Sequence, residues 1–392
     1  MTTGGAGGAR NQPWPGTDFR IETPDDVLVD LRDRLRRTRF PRYQAGPDWA
    51  RGAPIGFMQR LRDYWIDGFD WRAWEARFNA FNHRLIDVDG RTLHVIVERG
   101  SGDAPAPLLL TNGWPGSFTE FLPIIERLAH PERFGGRAED AFTVIAPSLP
   151  GYGFSPAPDA PLSPSDIAAL FSRLMTEVLG FDGYVAYGSD WGSLITAKVA
   201  FKHPEGLKAF LITSAGGAPV IDEARMPLTA DEIAWRQRSF AQMAPESAYQ
   251  AVQATKPQTL AFGQTDSPIG LAAWIVEKFH GWTIRGSTDD PPFSMDDLLA
   301  NVMLYWINGC EAPMWLYASL ATDIAIGPHR CPVPAGFLFA PMDMTPPPPQ
   351  SYLDRVYDVA HYEVLGRGGH FPGLETPHDL VRVITAFLGR YR

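Results

Sequence analysis

The segment "YGSDWGS" at residues 187–193 places Asp190 between two glycines, Gly188 two residues before it and Gly192 two after it. That spacing belongs to the sharp strand-to-helix turn that displays a nucleophile, where serine is the usual occupant. The flanks suit such a turn. "GYVAYGSD" reads as a short strand, and "SLITAKVAF" reads as a helix ending at His203-Pro204. Backbone N–H groups and the helix dipole favour an anion at that junction. An aspartate there can also be a plain helix cap. The other residues with chemical potential decide between these readings.

In hydrolytic enzymes built on this turn, the chain order is nucleophile, then acid, then histidine. Downstream, "GRGGHFPG" sets His370 in a glycine loop after the last strand pattern. Asp343, in "FAPMDMTP", lies just past the strand "AGFLFAP", where a carboxylate can orient an imidazole; Asp323 and Asp358 are rival acids in weaker positions. Upstream, "TNGWPGS" follows the strand "PLLLT". Its loop can aim the backbone N–H of Trp114 at the point served by the N–H of Trp191, forming an oxyanion site. The same two tryptophans are candidates for substrate contact. Parallel sheets place their sites at the carboxyl ends of strands, where all these loops fall.

A serine nucleophile attacks acyl carbon. A carboxylate is a poor acyl nucleophile but can displace a leaving group from alkyl carbon. The product is an alkyl ester of the enzyme, which a histidine-activated water can hydrolyse. The substrate is then an epoxide or an alkyl halide. An epoxide leaves as an alkoxide and needs O–H donors such as tyrosine; a halide needs only N–H donors.

The elements that must hold these groups are legible in outline. From residue 107, "PLLLTNGW", "FTVIAPSLP", "YVAYGSD" and "AFLITSA" are short apolar runs ending in Gly/Pro turns, with helical stretches between them. This alternation predicts an α/β fold, a mostly parallel sheet with helices on both faces. Residues 219–329 read as helical, and the strand pattern resumes at "VPAGFLFAP" and "HYEVLGRGGH". Near the amino terminus, "TPDDVLVDLRDRLRRTRFP" reads as a helix with Thr23 as cap, and Asp89-Gly90 reads as a hairpin turn.

Composition narrows the class. The chain has 392 residues, 45% hydrophobic and 20% charged, with a net charge of -10. An acidic balance argues against nucleic acid and anionic membranes as partners. Two cysteines give no disulfide framework and fit a reducing cytoplasm. The first twenty residues hold no apolar signal, and no run is long enough to span a bilayer. The nine histidines show no metal-ligand spacing, so neither metal nor other cofactor is expected. A homo-oligomer is compatible with the sequence.

From about Phe19 onward the chain resembles the microsomal-type epoxide hydrolases and their soluble bacterial relatives. The resemblance rests on "GSDWGS", "NGWPGSFTEF", "APSLPGYGFS", "QATKPQTL", "DSPIGLAAWIVEKFHGW", "LLANVMLYW" and "GRGGHFP", and on "RLRRTRFP" and "DWRAWEARFN" near the amino terminus. Residues 1–17, rich in Gly, Ala and Pro, read from composition as a disordered leader, and the resemblance implies an amino-terminal meander over 18–105. The α/β-hydrolase core would occupy 106–218 and 330–392, with a helical cap over 219–329. The family's cap carries two tyrosines; by position Tyr249 resembles the first and Tyr317 in "MWLYASL" the second, with Tyr305 a rival. Two departures stand out: Asn112 occupies the place of the family's usual histidine, and the acid is Asp343 where the family often has glutamate. A Gly-rich leader replaces the anchor of membrane-bound members, which implies a soluble protein.

The expected activity is therefore conversion of an apolar epoxide, with aryl epoxides among the candidates, and water to a vicinal diol. Haloalkane dehalogenation by the same aspartate is the alternative, and a non-catalytic binding protein on the same fold is the second class.

Overall fold

The computed structural model describes residues 13–46, 48–214, 221, 223–284, 290–326 and 329–392. Nine strands form one sheet: β1 (Thr17–Asp18), β2 (His83–Val88), β3 (Arg91–Glu98), β4 (Ala106–Thr111), β5 (Phe142–Pro147), β6 (Tyr184–Gly188), β7 (Leu207–Ile212), β8 (Pro334–Phe339) and β9 (Asp358–Val364). Their spatial order is β1-β2-β3-β5-β4-β6-β7-β8-β9. The first pairings are antiparallel, and from β5 to β9 every neighbour is parallel.

The strands β4, β5, β6 and β8 are almost wholly buried. Helices cover both faces, so their near-continuous apolar runs replace the alternation of a half-exposed strand. The register brings Thr111 of β4 beside Gly188 of β6. The loops leaving these two strands therefore meet.

The Asp89-Gly90 turn forms as expected, with φ of 54° and 74° at its two residues. Its strands extend the main sheet rather than standing apart, because β3 pairs with β5. Two amino-terminal expectations are corrected. Thr23 does not cap the helix Asp25–Arg36; Pro24 takes that position without a side-chain bond, while the Thr23 hydroxyl accepts from Trp71 Nε1 at 2.8 Å. Competition from a buried indole redirects the hydroxyl. The leader expected over 1–17 lies outside the described residues up to position 12; beyond it the chain is held. Arg84 donates to the carbonyls of Trp14, Pro15 and Gly16 and bonds Asp18, while Thr17 and Asp18 pair with β2.

Between β7 and β8 the described chain is helical, with helices including Ala230–Met243, Ala248–Thr255, Pro268–Gly281 and Met295–Asn308. Among the described residues no helix is long and apolar enough to cross a membrane.

Candidate active site

Asp190 sits between β6 and the helix Trp191–Lys202. Its backbone has φ 50° and ψ -125°. A non-glycine residue in that region costs on the order of 1–3 kcal/mol. Close packing holds it there. A Cβ at Gly188 would lie 2.2 Å from the Gly192 carbonyl oxygen, and one at Gly192 would lie 1.9 Å from that of Thr111. Both flanking positions therefore require glycine.

The Asp190 side chain makes no cap bond to its own helix. Oδ1 instead accepts the Trp114 backbone N–H at 2.9 Å, and Oδ2 lies 3.2 Å from His370 Nε2. The plain-cap reading thus fails on geometry. A Cβ at Gly113 would sit 2.0 Å from Asp190 Oδ1 and 2.6 Å from the Trp191 backbone nitrogen. Glycine there leaves the space that Oδ1 occupies beside the Trp191 backbone nitrogen, with the Trp114 N–H bonded to Oδ1.

His370 follows β9 on the loop whose glycines the sequence singled out. Gly368 has φ 109°, and a Cβ at Gly369 would lie 2.4 Å from the Trp282 carbonyl oxygen. That carbonyl accepts the His370 N–H at 2.8 Å. The other ring nitrogen, Nδ1, lies 2.7 Å from Asp343 Oδ1, which also accepts the Met344 N–H at 2.6 Å. The rivals are elsewhere. Asp323 pairs with Lys198 at 2.9 Å and accepts from Ser165, and Asp358 opens β9 as an exposed residue.

Burial opposes charge on His370, but Asp343 and Asp190 outweigh it and hold the imidazole pKa well above its usual value. Removing the charge on Asp190 would remove part of that support.

A cavity of about 220 Å³ opens onto Asp190. Its wall is largely apolar, with Trp191, Leu194, Met243, Leu320, Ile324 and Met344 among its residues. Tyr249 and Tyr317 line it as well, their rings 5.7 Å apart and nearly perpendicular. Burial, and after it the charge of Asp190, raises the Tyr249 phenol pKa; burial, Tyr249 and Asp190 raise that of Tyr317. Both stay protonated at ordinary pH. The rival Tyr305 is committed elsewhere, donating to the Gly116 carbonyl at 2.6 Å. Trp114, expected to touch substrate, does not line the cavity through its ring; the indole stacks on Tyr249 at 4.9 Å and 15°. It supports a tyrosine and offers its backbone N–H.

Sequence reasoning missed the aliphatic wall from Met243, Leu320 and Ile324, and it missed Glu120. Glu120 is buried below the site, and burial pushes its carboxyl up to about 8, with Asp190 and Glu375 adding and His370 opposing. Nothing in the local pattern "SFTEF" marks that glutamate as buried.

The sheet order, the strained turn at Asp190 and the histidine after the last strand define an α/β-hydrolase-fold enzyme. The description "alpha/beta hydrolase fold" matches residues 106–264, and "Epoxide hydrolase N terminus" matches residues 16–121. A protein of Stigmatella aurantiaca is 36% identical over 92% of this chain and 82% of its own length. "Epoxide hydrolase 1" of Oryctolagus cuniculus is 31% identical over 95% of this chain and 88% of its own. The solved epoxide hydrolase of Aspergillus niger is 29% identical, with a TM-score of 0.83 over 97% of this chain and 99% of its own. The chain belongs to the epoxide hydrolase family, and it is an enzyme that hydrolyses epoxides.

Proposed function

We propose that Asp190 Oδ2 attacks an epoxide carbon, with Tyr249 and Tyr317 hydrogen-bonding the oxygen that leaves it. The C–O bond of the ring breaks as the bond from Oδ2 to carbon forms. The developing alkoxide takes up a proton from a cap phenol, which is reprotonated from solvent, and the product stays on Asp190 as a hydroxyalkyl ester. The observation that supports this reading is the cavity itself, a largely apolar space lined by the Asp190 carboxylate and the protonated phenols of Tyr249 and Tyr317.

In the second half-reaction, water attacks Asp190 Cγ and gives a proton to His370 Nε2. Asp343 accepts the hydrogen bond from Nδ1 and so fixes the ring. The negative charge develops on Oδ1, where the Trp114 N–H already points and the Trp191 N–H stands close by. Collapse breaks the bond from Cγ to Oδ2, and His370 returns the proton to the departing diol. In the resting state the two carboxylates favour imidazolium. Esterification removes one of them, so the imidazolium releases its proton to solvent and the neutral His370 can act as base.

The aliphatic wall supports an apolar epoxide. Haloalkane dehalogenation is not favoured, because a halide has no use for the two phenols. Helices of residues 219–329 act as the cap that supplies both tyrosines. Two buried free cysteines support a reducing, cytoplasmic setting. The test is to quench the enzyme during turnover of an aryl or alkyl epoxide and to digest it. The peptide holding Asp190 should carry the mass of the epoxide, and Asp190→Ala should give neither adduct nor diol. Diol formation without any adduct would replace covalent attack with direct attack by water.

A further inference from the structure

Glu120 lies in the short turn Phe118–Phe121 and is 2% exposed. It stands between the loops that carry the two reacting groups. Its Oε2 accepts the hydroxyl of Ser189, the residue before Asp190, at 3.2 Å. On the other side, a Cβ at Gly373 would lie 2.3 Å from the Glu120 carbonyl oxygen and 3.0 Å from its Cγ, so the chain just beyond His370 packs directly on it. The second carboxyl oxygen, Oε1, is buried and has no hydrogen-bond partner among the described residues. An unmet buried acceptor is costly and calls for a reason.

We infer that Glu120 positions the attacking water of the hydrolytic half-reaction, accepting one of its hydrogens at Oε1 while His370 takes the other. Water has two hydrogens, and a base alone fixes only one. A second acceptor sets the direction of the attacking lone pair, and a misplacement of about 1 Å can cost about a hundredfold. The carboxyl suits this task in its neutral form. Burial keeps it protonated at neutral pH. A carboxylic acid with its proton on Oε2 reverses the Ser189 bond, donating to the serine hydroxyl, and presents Oε1 as a carbonyl-type acceptor without adding a negative charge beside Asp190.

This rests on the reading of Asp190 as nucleophile and His370 as base. The experiment separates the two half-reactions in Glu120→Met and Glu120→Gln. Methionine fills the space without an acceptor, whereas glutamine reproduces the neutral acid, donating to Ser189 and accepting at Oε1. A single-turnover quench measures formation and decay of the Asp190 ester. In Glu120→Met, ester formation should stay within about twofold, and its hydrolysis should slow about tenfold or more. Glu120→Gln should recover most of that loss. The inference is overturned if Glu120→Met hydrolyses its ester at the wild-type rate. It is equally overturned if both steps slow together, or if Glu120→Gln is as slow as Glu120→Met, since a packing role would give those results. A Glu120→Met that does not fold leaves the decision to Glu120→Gln and Glu120→Asp. Glutamine must hydrolyse near the wild-type rate and the shortened aspartate, unable to reach, must accumulate ester; any other pair of outcomes overturns the inference. Absence of an Asp190 ester in the wild type would refute the underlying mechanism and is seen independently of any Glu120 variant.

Discussion

Asp190 Oδ2 and His370 Nε2 lie 3.2 Å apart although 180 positions separate them in the chain. The carboxylate and the imidazole are both brought to the carboxyl edge of one parallel sheet. Asp190 leaves β6 and His370 leaves β9, with β7 and β8 between them. Under the proposed mechanism the two residues act in succession rather than together, because an ionised aspartate has no proton for the histidine to take.

His370→Gln should therefore alkylate and then stop. A burst of about one equivalent of consumed epoxide per enzyme is expected, followed by no turnover. Asp343→Asn should retain the burst and slow the decay, since an amide favours the wrong ring tautomer. Sustained turnover by His370→Gln would remove the histidine from this role.

The two phenols should act on the first step. Charge builds on the epoxide oxygen only as the ring opens, so donors to that oxygen are worth more in the transition state than in the bound state. Tyr249→Phe and Tyr317→Phe should each slow alkylation about a hundredfold, and the double variant should nearly abolish it. Substrate binding should change far less. If the single variants alkylate at the wild-type rate, the tyrosines are wall residues only.

The two half-reactions should respond differently to pH. In the resting enzyme both neighbouring carboxylates hold the His370 pKa well above normal, so imidazolium persists through neutral pH. Alkylation asks for no change of protonation at His370 and should be flat across neutral pH. Once Asp190 is an ester, the imidazole pKa falls. Hydrolysis then needs the neutral ring, so its rate should rise with pH and level off above the new pKa. Single-turnover rates from acid to alkaline pH will show it. An ester decay that slows with rising pH would contradict a basic role for His370.

Glu120 should leave a mark on stability. Its folded pKa of about 8 exceeds the ordinary value of 4.5. Between these limits the folded protein holds a proton that the unfolded chain releases, so this residue's contribution falls as pH rises through the window and is level above it. The penalty is on the order of a few kcal/mol at most. Glu120→Gln cannot ionise, so its stability relative to wild type should climb between pH 5 and 8, as read from denaturant midpoints. A constant difference across that range would show that Glu120 is not buried as a neutral acid.

Much of this protein is written locally in its sequence. The glycines at 188 and 192 announce the turn because a Cβ there would strike backbone, and that demand is a property of spacing alone. Strand and helix punctuation predicts the parallel sheet, and a loop glycine pair marks His370. Two local readings failed where a distant group intervened: a buried indole took the hydroxyl of Thr23, and Arg84 held residues 14–16 that composition alone would leave loose. The tertiary structure decided what depends on proximity. Asp343, Asp323 and Asp358 are alike as residues, and only the fold sets the first at 2.7 Å from His370 and the second on Lys198. Tyr249, Tyr305 and Tyr317 are likewise alike in sequence, and the packing of helices decides which phenols reach the cavity and which one ends on a carbonyl. Glu120 is the clearest case. Its type is written in the chain, but its proton is held by desolvation and by neighbours contributed from loops far apart in sequence, and no window of residues contains that environment.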